Sequence, residues 1–252
     1  MIFGLEFPPI SHLVEWPTLF GSGPFAVNKV VILMWVSALI AFGVMYLGGR
    51  KQELVPTGAQ NVAESAVDFI ENGIVMETMG PDGLKFTPFL LTLFTFVLVC
   101  NIWGIIPGVQ MPVNARIALP AFLAVLVWAI YHVTGIVSQG PINYVKSATI
   151  PPGVPKLILP LVFLIELLQI LIVRPLSMAV RLFANLIAGH LLLATFAILS
   201  QALWEASYVG AVLPFAMLVF LSGFEILVAF LQAYVFTILA AVYIGGAMHP
   251  EH

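Results

Sequence analysis

Long apolar runs dominate the chain, and its few polar positions fall either at the ends of those runs or inside the last two. Residues 26–47 form a first span that stops at Gly48, Gly49, Arg50 and Lys51, the composition of a helix meeting a water interface. Residues 57–78 differ. Glu64, Asp68 and Glu71 recur at spacings of four and three, with Val62, Ala66, Phe69 and Ile70 on the opposite face, which predicts an amphipathic helix lying along the membrane surface. Its polar face is acidic, whereas helices that bind anionic lipid are usually basic, so the pattern favours a protein partner; a merely solvated face is the bland reading. Residues 86–108 and 118–138 predict two further spans joined by the polar turn GVQMPVNAR, and a loop containing Pro and Gly follows over 139–157.

The last two runs, 158–200 and 206–248, are each about 43 residues long and interrupted only by Pro160, Pro175 and Pro214. As straight helices each would reach ~65 Å, about twice a hydrocarbon core, so they are expected to be tilted, kinked or re-entrant. SQALWEASYVG is the turn between them, and no internal repeat marks the chain as a two-half transporter. The expected fold is an all-α polytopic membrane protein forming a single transmembrane domain over 1–252, with about five membrane-crossing helices, the last two forming a long hairpin, and one amphipathic surface helix.

Composition agrees: 61% of residues are hydrophobic and 8% charged, which excludes a large soluble core. A formal charge of −3 says little about partners and points to no nucleic acid. The first 25 residues hold Glu6 and Glu15 and no Lys or Arg, so they read neither as a cleavable signal nor as a transit peptide, and the first helix is expected to serve as its own targeting signal. Cys100 is alone in an apolar run, which leaves no intrachain disulfide, thiolate metal site or redox pair and no expected cofactor.

The cations orient the spans. Arg50, Lys51, Lys85, Lys146 and Lys156 share one side if each of the first three spans crosses once, with Lys29 and Arg116 opposite, so the N-terminus is expected outside and the C-terminus in the cytoplasm. In the stretch RPLSMAVRLFANLIAGH, Arg174, Arg181 and His190 stand among apolar residues, and a guanidinium at mid-bilayer costs roughly 2.5–3.5 kcal/mol unless a cavity or a partner receives it. Glu166 lies ~22 Å to the cytoplasmic side of Arg181 along the helix, and His190 ~13 Å to the outer side. Glu225 and Gln232, seven residues apart, occupy roughly one face of the returning helix. Pairing Arg181 with Gln232 and His190 with Glu225 by depth centres the hairpin turn near residue 207 in both cases.

These residues differ in chemistry. Arginine releases no proton at any useful rate, so Arg181 acts through fixed charge as a gate or counter-ion. His190 and Glu225 both titrate once burial shifts them, which suits a water-fed relay. No carboxylate of this chain lies at the depth of Arg181, so its natural partner belongs to another protein. Bland readings stand beside these: Arg174 snorkels or stabilises a kink at Pro175, Asn185 and Gln232 are interhelical glue, His132 is interfacial, and Arg181 makes a structural salt bridge to Glu166 or Glu225.

RLFANLIAGH with its upstream RP, the later FEILVAFLQAYVFTILAAVY, and NIWGIIPG after the second span together resemble the a subunit of F-type ATP synthases, in helix order and over essentially the whole chain. That resemblance implies a membrane stator without catalytic activity of its own. It would present one Arg to a ring of c subunits whose carboxylates carry protons between two offset aqueous half-channels, coupling proton flow to rotation and ATP synthesis. Arg181 matches the family's gating Arg, Asn185 its neighbour, and Gln232 the Gln of the last helix, while His190 with Glu225 matches the acid and His that family members carry in either arrangement. Glu166 is assigned to the cytoplasmic exit, although it lies one residue further from Arg181 than the corresponding acid of many relatives. Ala184 replaces a Gly common among relatives, and Gly104 stands where some carry an acid. The implied partners are the c ring, b-type peripheral stalk subunits, lipid and protons, in a bacterial plasma membrane. The rival classes are a proton-coupled secondary transporter and a haem- or quinone-binding respiratory subunit, and for the latter His132 and His190 lie too far apart to be paired ligands.

Overall fold

The computed structural model describes residues 18–21, 26–50, 58–106, 109, 113–150, 154–155, 157–206 and 208–248. Glu6, Glu15, Lys51 and Lys156, used above for targeting and orientation, lie outside the described residues. The chain is an all-α polytopic membrane protein. Among the described residues, five helical stretches are long and apolar enough to cross a membrane: Lys29–Arg50, Pro81–Ile102, Ala118–Gln139, Leu159–Trp204 and Tyr208–Met248.

A short antiparallel pair, β1 (Thr18–Phe20) and β2 (Val27–Asn28), precedes helix α1 (Lys29–Arg50). Strands of three and two residues are too short for a periodicity to announce. The Asn28 carboxamide accepts the Val31 N–H at 3.1 Å and so caps the start of α1. The amphipathic segment forms as α2 (Ala59–Ile70), a π-turn over Glu71–Val75 and the short α3 (Met76–Thr78). A 3₁₀ stretch, Pro81–Phe86, then leads into α4 (Thr87–Ile102). The span expected over 86–108 ends as helix at Ile102, where the amides of Gly104 and Ile105 turn back onto the carbonyls of Asn101 and Ile102 at 3.2 and 3.0 Å. After α5 (Ala118–Gln139), the stretch read as loop contains α6 (Pro141–Thr149), with Gly140 at φ +81° and Pro141 in the first turn. The first long run is α7 (Leu159–Leu168), a π-turn over Gln169–Val173 and α8 (Arg174–Ala206). The second is the single helix α9 (Tyr208–Met248), with Pro214 inside it.

Two compact units emerge, each drawing on parts of several helices. The first comprises Met1–Ala41, Phe96–Arg116 and Phe183–Ala233, and the second comprises Phe42–Thr95, Ile117–Leu182 and Tyr234–His252. Within the first unit α8 and α9 run as a hairpin. The Asn185 side chain donates to that of Gln232 at 3.2 Å, and the Glu225 carboxylate lies against Gly189, a register that centres the turn between 207 and 209. Within the second unit, Phe69 of the amphipathic helix sits between Phe94 and Tyr234, with ring centroids 5.5 and 5.8 Å away. Gly48 lets α1 approach the backbone of α2 at Ala59 and Ala63, and Gly135 accommodates the ring of Tyr144 from α6.

Lipid supplies no hydrophobic drive for helix–helix association, so such close fits carry the packing. A Cβ on Gly135 would fall on the Tyr144 ring, whereas one on Gly49 would meet nothing within 4 Å. Gly135→Leu is expected to destabilise the purified protein by about 1–3 kcal/mol, the usual cost of overpacking, with Gly49→Ala near neutral. Thermal unfolding in detergent checks this, and equal stability of the two variants would rule the packing out.

Candidate functional site

Arg181 lies on a face of α8 that also carries Ser177, Ala184, Asn185 and Ala188 at helical spacing, and all five residues are exposed. Among the described residues, no hydrogen bond, ion pair or ring contact engages its guanidinium. The salt bridge to Glu166 or Glu225 considered from the sequence is therefore not formed. Small side chains around the charge allow close approach by another surface.

The first unit buries a line of polar groups along α9. Glu225 and Gln232 are both buried on one face of that helix, and the carbonyl of Ala229 between them accepts the Asn101 carboxamide at 3.2 Å. Asn114 donates to Asn101 at 2.7 Å, and Trp103 donates its indole N–H to Ser37 at 2.7 Å. The buried Asn114 Oδ1 and Gln232 Nε2 have no protein partner. Such atoms cost about 1–3 kcal/mol each when unsatisfied. His190 is half-buried, and no hydrogen bond joins it to Glu225. The depth pairing of His190 with Glu225 thus puts the carboxylate one residue away, on Gly189, where any Cβ would collide with it. Gln232 finds Asn185, four residues beyond Arg181, as its partner.

The second unit holds a cavity of about 370 Å³ lined by Tyr131, Gln139, Tyr144, Glu166, Arg174 and Tyr243, among others. The guanidinium carbon of Arg174 stands 5.2 Å from the centre of the Tyr243 ring, within cation–π range. His132 stands on α5 in the same unit. Its Nδ1 lies 2.6 Å from the Tyr144 hydroxyl, and its ring packs against Trp128 and Tyr131 at 4.4 Å each. Burial pushes the Tyr144 phenol above its ordinary range, against the opposing pull of the Arg174 charge, so it keeps its proton at neutral pH. Gln139 accepts from Ser147 and donates to the Ala247 carbonyl, both at 2.7 Å, which ties α5, α6 and the end of α9 around the cavity. No group of three or more His, Cys, Asp or Glu able to hold a metal occurs among the described residues.

The reading from sequence missed Gly189, Asn101, Asn114 and Tyr144. Asn101 was detectable as a lone carboxamide in an apolar run, a group that in a membrane hydrogen-bonds across helices. Gly189 carried no such signal, because its contribution is the space it leaves.

Residues 31–245 match the family model described as ATP synthase A chain. The chain is 43% identical over 251 residues to the ATP synthase subunit a of Frankia alni, covering 97% of this chain and 87% of that protein. It is 37% identical over 260 residues to the ATP synthase subunit a of a Nocardioides species, covering 97% and 94%, and 40% identical over 239 residues to the ATP synthase subunit a 1 of Brucella anthropi, covering 94% of each.

The Gly189 notch is testable without reference to activity. Gly189→Ala should lower thermal stability in detergent, and in a Glu225→Ala background the same change should cost much less, with an interaction energy of about 1–3 kcal/mol between the two sites. Additive effects would mean that the carboxylate does not occupy the notch.

Proposed function

The chain belongs to the ATP synthase A chain family, and from that membership we propose that it is the proton-conducting stator of a rotary ATP synthase, forming two half-channels against a ring of carboxylate-bearing subunits. It is a multi-pass protein of a bacterial plasma membrane. The observation that carries the proposal is Arg181, an exposed and unpartnered guanidinium on a membrane helix whose neighbouring exposed positions are Ser177, Ala184, Asn185 and Ala188. A charge so placed needs a carboxylate from outside the chain, and a ring carboxylate meets that need while it is ionised. Once protonated, the carboxylate no longer pairs with Arg181 and moves into lipid.

In this reading, protons arrive from outside through the polar line of His190, Glu225, Asn101 and Asn114, where buried unsatisfied atoms favour water. They leave towards the cytoplasm through the cavity that contains Glu166, Tyr144 and Arg174. Arg181 separates the two routes because it cannot itself pass a proton on. Asn185 and Gln232, bonded to each other, steady the helix surface beside it. The acidic face of the amphipathic segment, with Glu64, Asp68 and Glu71, is a contact for a protein partner. The chain is non-catalytic in its own right, and the transporter reading is not favoured by its family membership.

Arg181→Ala is expected to abolish coupled ATP synthesis in membrane vesicles and to open a passive proton leak. Arg181→Lys should be badly impaired, because an ammonium is a compact, strongly hydrated charge without the planar fork. ATP synthesis at near the parental rate in the Ala variant would remove this role from Arg181.

His190 and Glu225 are expected to act in one relay. Each exchange single, His190→Glu or Glu225→His, should slow ATP-driven pumping in inverted vesicles by about tenfold, equivalent to ~1.4 kcal/mol, and the double exchange should restore part of the loss. A double variant no faster than the product of its singles, with ring recovery unchanged, would separate the two residues.

A further inference from the structure

The π-turn at Gln169–Val173 stands immediately before Pro175 and is tied to a neighbouring helix by two side chains. The Arg174 N–H donates to the carbonyl of Gln169, five residues back, rather than to that of Ile170. The next residue, Pro175, has no N–H to offer. The Ile170 carbonyl is instead taken by two donors from α5, the Trp128 indole N–H at 3.1 Å and the Tyr131 hydroxyl at 2.9 Å. Ile170 itself is buried.

The turn decides which way Glu166 faces. Eight residues separate Glu166 from Arg174, and in an unbroken α-helix they would be rotated by ~80° from one another. The extra residue of a π-turn absorbs about that rotation, and Glu166, Ile170 and Arg174 accordingly all line one cavity. It also accommodates the additional residue by which Glu166 stands further from Arg181 than the resemblance leads one to expect.

We propose that Trp128 and Tyr131 are positioning residues that hold the π-turn through the Ile170 carbonyl and thereby keep the Glu166 carboxylate in the cavity. Without them the segment relaxes to regular α-helix, the carbonyl loses its only side-chain donors, and α7 rotates so that Glu166 leaves the cavity. The consequence for proton flow rests on the exit role given to Glu166 above; the consequence for its orientation does not.

The test separates register from function. A membrane-impermeant thiol reagent is applied to the cytoplasmic side of inverted membranes holding the assembled complex, with Glu166→Cys in a Cys100→Ala background. Replacing both donors, by Trp128→Phe with Tyr131→Phe, should slow labelling by about tenfold, the scale expected for two lost hydrogen bonds. Deleting Ile172 as well should restore labelling, because seven residues of regular helix return positions 166 and 174 to within about 20° of one face. Deletion of Ile172 alone should leave labelling unchanged. Should the double replacement fail to assemble, Tyr131→Phe alone, which removes one donor and no ring, should slow labelling about threefold.

Labelling that ignores the loss of the donors, or that the deletion does not rescue, overturns the proposal. Proton pumping with Glu166 intact is followed in the same backgrounds and should fall and recover in parallel. Labelling that follows the register while pumping stays constant would support the positioning role and overturn the exit role of Glu166.

Discussion

Hydrocarbon contains no water to complete a broken hydrogen bond, so every backbone carbonyl within a span must find its partner in protein, and every charge a partner or a water-filled cavity. The spans of this chain are helical for that reason. Ser37, Thr95, Thr195 and Ser222 turn their hydroxyls back onto carbonyls four residues earlier instead of leaving them unpaired. Where Pro175 removes an N–H, two side chains of another helix come to the exposed carbonyl. Among the described residues, none meets the requirement of the Arg181 guanidinium. On the proposed reading, a carboxylate of a second protein meets it.

Close approach of helices depends on omitted side chains. Gly48 meets the backbone and Cβ of α2, Gly135 meets the ring of Tyr144, Gly189 meets the carboxylate of Glu225, and Gly245 meets the Thr78 carbonyl and Met79. Three of these contacts fix a helix in place, and that of Gly189 seats a titratable group. The same device serves packing and chemistry because in a lipid-embedded protein both require positions held to a fraction of an ångström.

Charge is scarce in this chain, and its distribution along the long hairpin separates two kinds of work. On the proposed reading, the groups that exchange protons are His190 and Glu225 in one unit and Glu166 in the other. The guanidinium of Arg174 is held on an aromatic face, while that of Arg181 stands among small residues. On the proposed reading this difference matters: a fixed charge that a moving ring must pass has to be reachable, whereas one that shapes a cavity has to stay in place.

The number and order of the membrane-crossing helices, the amphipathic segment and the pairing of the last two helices as a hairpin were legible from the sequence alone, because periodicity and run length are properties of a single strand of residues. The prominence of Arg181 was equally legible, since a charge in an apolar run is costly wherever the helix packs. Tertiary structure alone decided that Glu225 rests on Gly189, that Gln232 bonds to Asn185, that Arg174 stacks on Tyr243, and that α6 fills a stretch read as loop. The physical reason lies in rotation and register. Residue counting fixes depth along a helix to within about a turn, but one π-turn changes the face by most of a right angle. The carbonyl that holds this π-turn belongs to the backbone, which is the same at every residue and leaves no mark in the sequence.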